Sequence, residues 1–255
     1  MVRYCCGRGF HEPPACVRQY SARMADRPTV VLLPGLGYGR SLWATQVEQL
    51  SPWCDPVVVV PDSEDMGAVL DQILAAGGER FVLVAHSAAT LAGFACAAQS
   101  PDRVSALINM GSMAEPLPPI AEYMKTLIEQ VEAGDIDSAR AGLRSQALGG
   151  GHHNEPELEA AVLRSQEEVP QDVFVAQCRF LIANMDQQQA LSRIQVPTLL
   201  LHASDDGFFD LASAQRFQHQ ITDARLSVVH GSGHLVMVER PAAVTALIQA
   251  WGDLS

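Results

Sequence analysis

The most constraining feature of the sequence is a short apolar run that ends in a serine and passes at once into an alanine-rich segment. Residues Phe81 to Ala85 are uninterrupted apolar residues, which is typical of a strand buried on both faces of a parallel sheet. The segment from Ala88 to Ala98 is rich in alanine, a strong helix former, and Ser100-Pro101 ends it because a residue before proline disfavours helical geometry. The sequence therefore predicts a strand and a helix joined at Ser87.

The junction at Ser87 leaves no room for an ordinary loop. Its sequence, Ala85-His86-Ser87-Ala88-Ala89, has a small residue two positions before the serine and another two positions after it. A strand that turns sharply into a helix brings two backbones together, so only small side chains fit there. Such a turn holds the serine in a strained conformation above the positive end of the helix. The pattern predicts a nucleophilic serine, and the alternative is a serine that only caps the helix.

The composition bounds the class of protein. A chain of 255 residues, 48% of them hydrophobic, is long enough for one large α/β domain with a sizeable core. Its formal charge of −12 disfavours nucleic acid and anionic membrane surfaces as partners. No apolar run approaches the roughly 18 residues that a membrane span needs, so we expect no membrane partner.

The cysteines and the N-terminal residues bear on location. The six cysteines show no metal-ligand spacing, and a chain this long does not need a disulfide framework. We expect mostly free thiols in a reducing compartment, and therefore a cytoplasmic protein. Residues 1–26 are rich in arginine but have no apolar core for a secretory signal. We expect them to form an irregular extension upstream of a natural start near Met24.

Further strands alternate with helices on both sides of the Ser87 junction. Apolar runs predict them from Thr29, at Val57 to Val60, at Val104 to Met110, from Val196, and at Arg225 to Val229. The run from Thr29 leads into a loop that contains Gly35, Gly37 and Gly39, where the backbone is free to turn its amides toward one point.

That glycine-rich loop has a role if Ser87 is a nucleophile. The backbone amides of Leu36 and Ala88 would then form an oxyanion hole, and losing one such donor costs on the order of 3 kcal/mol. A phosphate-binding loop is the weaker alternative, because neither of the usual glycine patterns for phosphate is present.

Residues 113–193 differ in character from the rest, since strand runs disappear and helical periodicity takes over. We predict four helices, at about 117–133, 135–148, 155–168 and 171–189, which together would form a lid. Four apolar or aromatic side chains are candidates for a substrate pocket, although core packing is an alternative for each: Tyr38, Met113, Phe174 and Phe208. The pair His152-His153 has no third ligand spaced to join it, so we expect no metal site.

Three polar residues stand just past the carboxyl ends of predicted strands. They are Ser87, an aspartate at 205 or 206, and His234, in that order. Active sites of open parallel sheets form at this edge, so distant residues meet there. His234 would take the proton of Ser87 during attack, and the aspartate would fix the imidazole tautomer. The alternatives are a histidine packed in its loop and aspartates that cap the following helix.

Together these segments resemble the α/β-hydrolase fold superfamily, of the serine esterase type with a helical cap. The resemblance runs from Arg27 to the C-terminus. Its motifs are Pro34-Gly35, Ala85-His86-Ser87-Ala88-Ala89, Val196-Pro197-Thr198, Asp205-Asp206 and Gly233-His234. It implies a mostly parallel eight-stranded sheet flanked by helices, with a core of residues 27–112 and 194–255 and an inserted cap of residues 113–193.

The resemblance also selects one aspartate. In members of the family the acid usually stands three residues after a glycine that ends the strand, and Ala203 occupies that place, so Asp206 is the expected acid. The sequence departs from the family at Pro34, where a histidine is usual, and at Ala85 and Ala89, where the elbow glycines are usual. Only the elbow change bears on the chemistry, because it would narrow or shift the oxyanion site.

The leading hypothesis is a serine hydrolase without a cofactor that cleaves a small to medium carboxylic ester through an acyl-serine intermediate. Its catalytic residues would be Ser87, Asp206 and His234. One alternative is a ligand-binding or signalling protein that keeps the pocket with little turnover. Another is a cofactor-free carbon–carbon hydrolase or haloperoxidase-like enzyme on the same fold. The fold does not fix the substrate, and the oligomeric state is open.

Overall fold

The computed structural model describes residues 27–149 and 155–252, and its centre is a six-stranded parallel sheet. The strands are β1 Thr29–Leu33, β2 Asp55–Val58, β3 Phe81–His86, β4 Val104–Met110, β5 Thr198–Ala203 and β6 Ala224–Val229. They lie in the order β2-β1-β3-β4-β5-β6, with every neighbouring pair parallel. All six carboxyl ends therefore meet at one edge of the sheet.

Helices flank the sheet and connect its strands. They are α1 Ala44–Leu50, α2 Met66–Gly77, α3 Thr90–Gln99, α4 Pro118–Glu132, α5 Ile136–Ala147, α6 Pro156–Glu167, α7 Gln171–Asn184, α8 Gln188–Leu191, α9 Leu211–Gln220, α10 Val236–Glu239 and α11 Pro241–Gly252. Within the described residues, no helix is both long and apolar enough to cross a membrane.

The prediction of an eight-stranded sheet is wrong for the residues that the structure describes, because the sheet has six strands. The six strands are the six segments that the apolar runs predicted one by one, whereas the count of eight came from the resemblance alone. Only Arg27 and Pro28 precede β1 in the first described range. Every apolar run after β1 already forms one of the other five strands or a helix. The described residues thus leave no segment for two more strands.

The core lies on both faces of the sheet, since alternate residues of a strand point to opposite sides. In β1, Val31 and Leu33 join the cluster that contains α2 and α3, whereas Val30 and Leu32 join the cluster that contains α1 and α11. The strand β3 lies between β1 and β4, and all of its residues are buried. Its end is therefore fixed by packing on every side.

Between β4 and β5 the chain forms the helices α4 to α8, which we call the helical segment (residues 118–191 without 150–154). The predicted helix at 171–189 is two helices, because α7 ends at Asn184 and α8 begins at Gln188. Within the segment α4 packs against α7. The pair His152-His153 lies outside the described residues, and the division of the chain into a core and a cap stays a prediction.

The cysteines that the structure describes are free and buried, as the sequence predicts for them. They are Cys54, Cys96 and Cys178, whereas Cys5, Cys6 and Cys16 lie outside the described residues. Burial raises the pKa of the Cys178 thiol to about 12, so this thiol is a protonated core residue rather than a nucleophile.

Gly93 of α3 tests how tightly the helix after Ser87 packs on the sheet. A Cβ atom at this position would lie 2.5 Å from Asn109 Oδ1 and 3.3 Å from the Cβ of Ala85. We expect Gly93→Ala to lower the free energy of unfolding by about 1–3 kcal/mol through overpacking. The matched control is Gly67→Ala in the exposed first turn of α2, where a Cβ atom would lie 3.1 Å from Oδ1 of the N-cap residue Asp65. The gain in helix propensity is offset by this contact, so the free energy of unfolding should change by less than about 1 kcal/mol. Urea unfolding curves measure both, and equal effects would contradict the packing argument.

Candidate active site

Ser87 occupies a strained corner between β3 and α3. Its φ of +55° is the only positive value among the non-glycine residues that the structure describes. His86 before it is still extended, and residues 87–89 form a short 3₁₀ turn that leads into α3. A non-glycine residue in this region costs of order 1–3 kcal/mol, which the packed strand and helix on either side impose. Strain of this kind concentrates at functional sites.

The small residues around Ser87 are explained by close contacts. Ala85 faces Gly93 of α3, where the helix backbone passes over the strand. Gly35 of the glycine-rich loop lies against Ser87 itself, because a Cβ atom on Gly35 would be 2.9 Å from the Cβ of Ser87. A larger residue at position 85 or 35 would force the strand, the helix and the loop apart.

His234 lies at the same edge of the sheet, in the loop after β6, and is hydrogen-bonded to Asp206 after β5. The distance from His234 Nδ1 to Asp206 Oδ2 is 2.9 Å, and both side chains are almost completely buried. The other carboxylate oxygen of Asp206 accepts hydrogen bonds from the backbone amides of Phe208 and Phe209, at 2.9 and 3.2 Å. Asp205 is exposed and accepts only a local hydrogen bond from Ser204. The structure thus places Asp206, and not Asp205, against the histidine.

The environment of Asp206 favours the ionised carboxylate. Burial by itself raises the pKa of this carboxyl, but the interaction with His234 and the two backbone amides outweigh burial and lower the pKa below its usual value. An ionised acceptor at this position requires that Nδ1 of His234 carries a proton. Nε2 is then the nitrogen of His234 that is left for another partner.

The backbone of the His234 loop is anchored on both sides of the imidazole. The amide of Gly233 donates to the buried carboxylate of Glu239 at 2.7 Å. The carbonyl of His234 accepts a hydrogen bond from Nε2 of His86 at 3.0 Å. The two histidine rings lie 4.6 Å apart, so the residue before Ser87 holds the loop that carries His234.

Gly111, just after β4, lies directly against the imidazole ring of His234. Its φ is +57°, and a Cβ atom on it would lie 2.8 Å from Cε1 and 2.9 Å from Nδ1 of His234. The same atom would be 3.3 Å from Asp206 Oδ2. Only glycine leaves the space in which the His234–Asp206 hydrogen bond forms.

Ser87 and His234 line the same cavity, a narrow space of about 40 Å³. Its lining residues are Leu36, Tyr38, Ser87, Ile120, Met124, Leu143, Leu181, Phe208, Phe209 and His234. The wall is almost entirely apolar apart from Ser87, His234 and the hydroxyl of Tyr38. A larger surface groove between α6 and α10 contains none of Ser87, Asp206 and His234. Because the polar groups converge on the smaller space, we place the candidate site there.

The predicted pocket residues divide into two pairs. Tyr38 and Phe208 line the cavity, and Phe208 also packs against His234 with ring centroids 4.8 Å apart. Met113 and Phe174 are buried in the core and do not line it. Whether such a side chain lines a cavity or packs in the core depends on the angle at which its element meets its neighbours, which the local sequence does not contain.

The hydroxyl of Tyr38 is buried and has no hydrogen-bond partner in the part of the chain that the structure describes. Burial raises the pKa of Tyr38 well above its ordinary value, although Arg144 acts in the opposite direction. The tyrosine is therefore neutral, and its hydroxyl remains available to a polar atom of a bound molecule.

The loop after β1 brings Leu36 into the wall of the same cavity. The turn at Leu36 is closed by a hydrogen bond of 3.2 Å from the amide of Tyr38 to the carbonyl of Gly35. No hydrogen bond joins the Leu36 amide to an acceptor among residues 27–149 and 155–252. Among these residues there is also no group of three histidine, cysteine or acidic side chains arranged to hold a metal ion.

A doubly flanked parallel sheet with a strained serine, a histidine and an acid at its carboxyl edge defines a class of protein. The sequence profile of the alpha/beta hydrolase fold family matches residues 62–241, from the loop after β2 to the start of α11. The chain belongs to this family, which confirms the resemblance.

Two named relatives are similar over nearly the whole chain. The chain is 26% identical over 248 residues to a Caulobacter protein designated as the carbamate hydrolase RutD, which covers 88% of this chain and 90% of that protein. It is 25% identical over 224 residues to the pimeloyl-[acyl-carrier protein] methyl ester esterase of Vibrio campbellii, which covers 81% of this chain and 87% of that protein.

Solved structures show the same fold. An enol-lactonase from Burkholderia xenovorans superposes with a TM-score of 0.79 at 18% identity, over 90% of this chain and 92% of that chain. A thermophilic esterase from Thermogutta terrifontis superposes with a TM-score of 0.78 at 21% identity, over 88% of this chain and 89% of that chain.

The residues that hold the site in place carry little signal in the sequence. His86 and Gly111 support His234 through contacts between segments far apart in the chain, whereas Glu239 anchors the same loop from six residues after Gly233. The position of His86 next to Ser87 was visible, but its partner is 148 residues away. Gly111 directly follows a predicted strand end, and this is the one signal that was available for it.

His86 makes the stability of the folded state sensitive to acid. Burial, together with His234, lowers the pKa of His86 to about 3, whereas an unfolded chain protonates a histidine near pH 6.5. Between these values the unfolded state binds more protons, so the free energy of unfolding falls as the pH falls. One such group contributes a slope of at most about 1.4 kcal/mol per pH unit.

We expect His86→Gln to flatten the pH dependence of the free energy of unfolding between about pH 6.5 and 4.5, because the glutamine cannot take up that proton. Urea unfolding at several pH values measures the slope. The control is His219→Gln on exposed α9, which should leave the slope of the wild type unchanged. Identical slopes for His86→Gln and the wild type would show that His86 does not stay neutral in the folded state.

Proposed function

We propose that the protein is a serine hydrolase that cleaves a small to medium carboxylic ester through an acyl-Ser87 intermediate. One observation carries the proposal: His234, held by a buried hydrogen bond to Asp206, lines the same cavity as the strained Ser87. A serine that only capped a helix would need neither the positive φ nor a buried histidine–aspartate pair beside it.

In the proposed reaction Ser87 Oγ attacks the acyl carbon and its proton passes to Nε2 of His234. The tetrahedral intermediate then loses the alcohol, which takes that proton from His234, and acyl-Ser87 remains. Water next attacks the acyl carbon while His234 removes its proton, and the carboxylic acid leaves as the proton returns to Ser87. Asp206 holds the tautomer and stabilises the imidazolium in both steps.

The amides of Leu36 and Ala88 are the proposed oxyanion donors. Ala88 directly follows Ser87 in the 3₁₀ turn, where the first amides of a helical turn have no partner within the turn. Leu36, whose amide has no acceptor among the described residues, lines the same cavity as Ser87. Two such donors match the charge that develops on the carbonyl oxygen of an ester.

The apolar wall of the cavity favours an apolar acyl or alcohol group, oriented by few polar contacts. Ile120, Met124, Leu143 and Leu181 come from the helical segment, so we propose that this segment is a cap that shapes the substrate site. The similarity to relatives designated as a methyl ester esterase and a carbamate hydrolase supports hydrolysis at an acyl carbon.

Ser87→Ala tests the nucleophile. We expect the variant to fold and to lose turnover of nitrophenyl acetate and butyrate by at least about 10³-fold, because no other hydroxyl takes the place of Ser87. A fluorophosphonate should label the wild type at Ser87, as located by peptide mass spectrometry, and should not label the variant. Ser145→Ala, at an exposed serine of α5, is the control and should retain both activity and labelling.

Full activity of Ser87→Ala would overturn the proposal. A wild type that resists the fluorophosphonate and retains a bound ligand would instead favour a ligand-binding protein.

Adjacent aspartates provide a matched test of the acid. Asp206→Asn should lower kcat by about 10³–10⁴-fold: its oxygen stays with the amides of Phe208 and Phe209, so its NH2 group donates to Nδ1 of His234 and puts the proton on Nε2. Asp205→Asn changes the same functional group one residue away, at an exposed position, and should leave kcat within about twofold. Steady-state kinetics on nitrophenyl butyrate measure both variants. Equal losses would contradict the assignment of Asp206.

A further inference from the structure

The glycine-rich loop between β1 and the turn at 40–43 is held from outside by the helical segment. Three of its residues are glycines, whose backbones have little conformational preference of their own. Every second amide from Gly37 to the start of the turn at 40–43 donates to an acceptor on or next to α6 and α7: Gly37 to Gln177, Gly39 to Ser165, and Ser41 to Glu168. The conformation of the loop is therefore set by the segment that inserts between β4 and β5.

Gln177 of α7 is the anchor closest to the site. Its Oε1 accepts a hydrogen bond of 2.8 Å from the amide of Gly37, and its Nε2 donates one of 2.8 Å to the carbonyl of Pro61. Gln177 is only 5% exposed, and both bonds are buried. One side chain thus joins the helical segment to the loop after β1 and to the loop after β2.

The bond to Gly37 fixes a peptide that is otherwise free to rotate. Gly37 has φ +77°, and its amide belongs to the peptide that directly follows Leu36. A small cavity on this side of the loop is lined by Gly35, Leu36, Ala88 and Gln177. The Leu36 amide belongs to the preceding peptide of the same turn, so without an acceptor for Gly37 the whole turn is free to shift relative to Ser87, and the Leu36 amide shifts with it.

We infer that Gln177 is a positioning residue for the oxyanion hole: it holds Gly37 so that the Leu36 amide points at the developing charge. The inference rests on the proposed function. It assigns to a side chain of the helical segment a part in the chemical step, not only in the shape of the substrate site. Displacing a catalytic group by about 1 Å can lower the reaction rate by about 10²-fold. Loss of the hydrogen bond from Gly37 to Gln177 should therefore lower kcat measurably.

Another buried glutamine of the helical segment provides the control. Gln166 of α6 also makes two buried or half-buried hydrogen bonds, from its Nε2 to the carbonyl of Arg140 and from Arg144 to its Oε1. Neither bond touches the glycine-rich loop. Replacing each glutamine by methionine removes comparable hydrogen bonds at similar volume, and only the Gln177 variant releases Gly37.

We expect Gln177→Met to lower kcat on nitrophenyl butyrate by about 10- to 100-fold with KM within about threefold, and Gln166→Met to change kcat by less than about threefold. Inhibition by an alkyl trifluoromethyl ketone, whose adduct with Ser87 carries an oxyanion, should weaken in proportion to kcat/KM. Inhibition by the matching methyl ketone should not. Amide hydrogen exchange in residues 34–41, followed by mass spectrometry, should be faster only in Gln177→Met.

Gln177→Glu provides a second variant if the methionine variant does not fold. A protonated glutamic acid can accept from Gly37 and donate to Pro61 as glutamine does, whereas the carboxylate cannot donate. The ratio of its kcat to that of the wild type should therefore rise as the pH falls from 8 to about 6.

The outcomes separate the inference from the proposed function. A wild type that neither hydrolyses esters nor is labelled at Ser87 contradicts the function, and hydrogen exchange alone then decides whether Gln177 anchors the loop. An active wild type with Gln177→Met indistinguishable from Gln166→Met overturns the inference. Equal weakening of the trifluoromethyl and methyl ketones would also overturn it, since that result indicates a general effect on binding.

Discussion

The hydrogen bond between His234 and Asp206 is the interaction on which the candidate site depends. It joins the loops after β5 and β6, which are neighbouring parallel strands, so the sheet itself sets the distance between the two residues. A buried carboxylate without this partner would be costly, and the bond therefore has to form as the two strands pair. Gly111 and the carboxylate of Glu239 together restrict the imidazole of His234 to one position.

The same bond gives the other site residues their orientation. Nδ1 of His234 is bonded to Asp206, so Nε2 is the nitrogen that is left for another partner. His234 and Ser87 line the same cavity. His86 ties the carbonyl of His234 to the strand that ends in Ser87. The strain at Ser87 and the fixed position of His234 thus both result from close packing at the carboxyl ends of the neighbouring strands β3, β4 and β5.

Much of the fold followed from local patterns in the sequence. The apolar runs at Phe81 and Val104 mark strands that the structure confirms, because a strand buried on both faces needs an unbroken apolar run. The number of strands did not follow from the resemblance to a family, since each additional strand requires its own segment. The break between α7 and α8 was also missed, because the helical pattern continues across it.

The candidate site was predictable to the degree that its residues follow strand ends. Ser87, Asp206 and His234 all do, and the choice of Asp206 over Asp205 depended on a single spacing. The supporting contacts were not predictable, because Gln177 meets Gly37 across 140 residues of sequence. Whether Phe174 packs in the core or Phe208 faces the cavity likewise depends on how helices and loops meet, which no local pattern contains.

One contact limits how a molecule can reach Ser87. Gly149 at the end of α5 lies directly on Gly233, and a Cβ atom on Gly149 would be 2.6 Å from the Cα of Gly233 and 2.8 Å from the carbonyl oxygen of Asp205. The helical segment is pinned to the histidine loop at this point, with no gap that side-chain motion alone would open. A molecule that reaches Ser87 therefore does not pass between the end of α5 and the histidine loop.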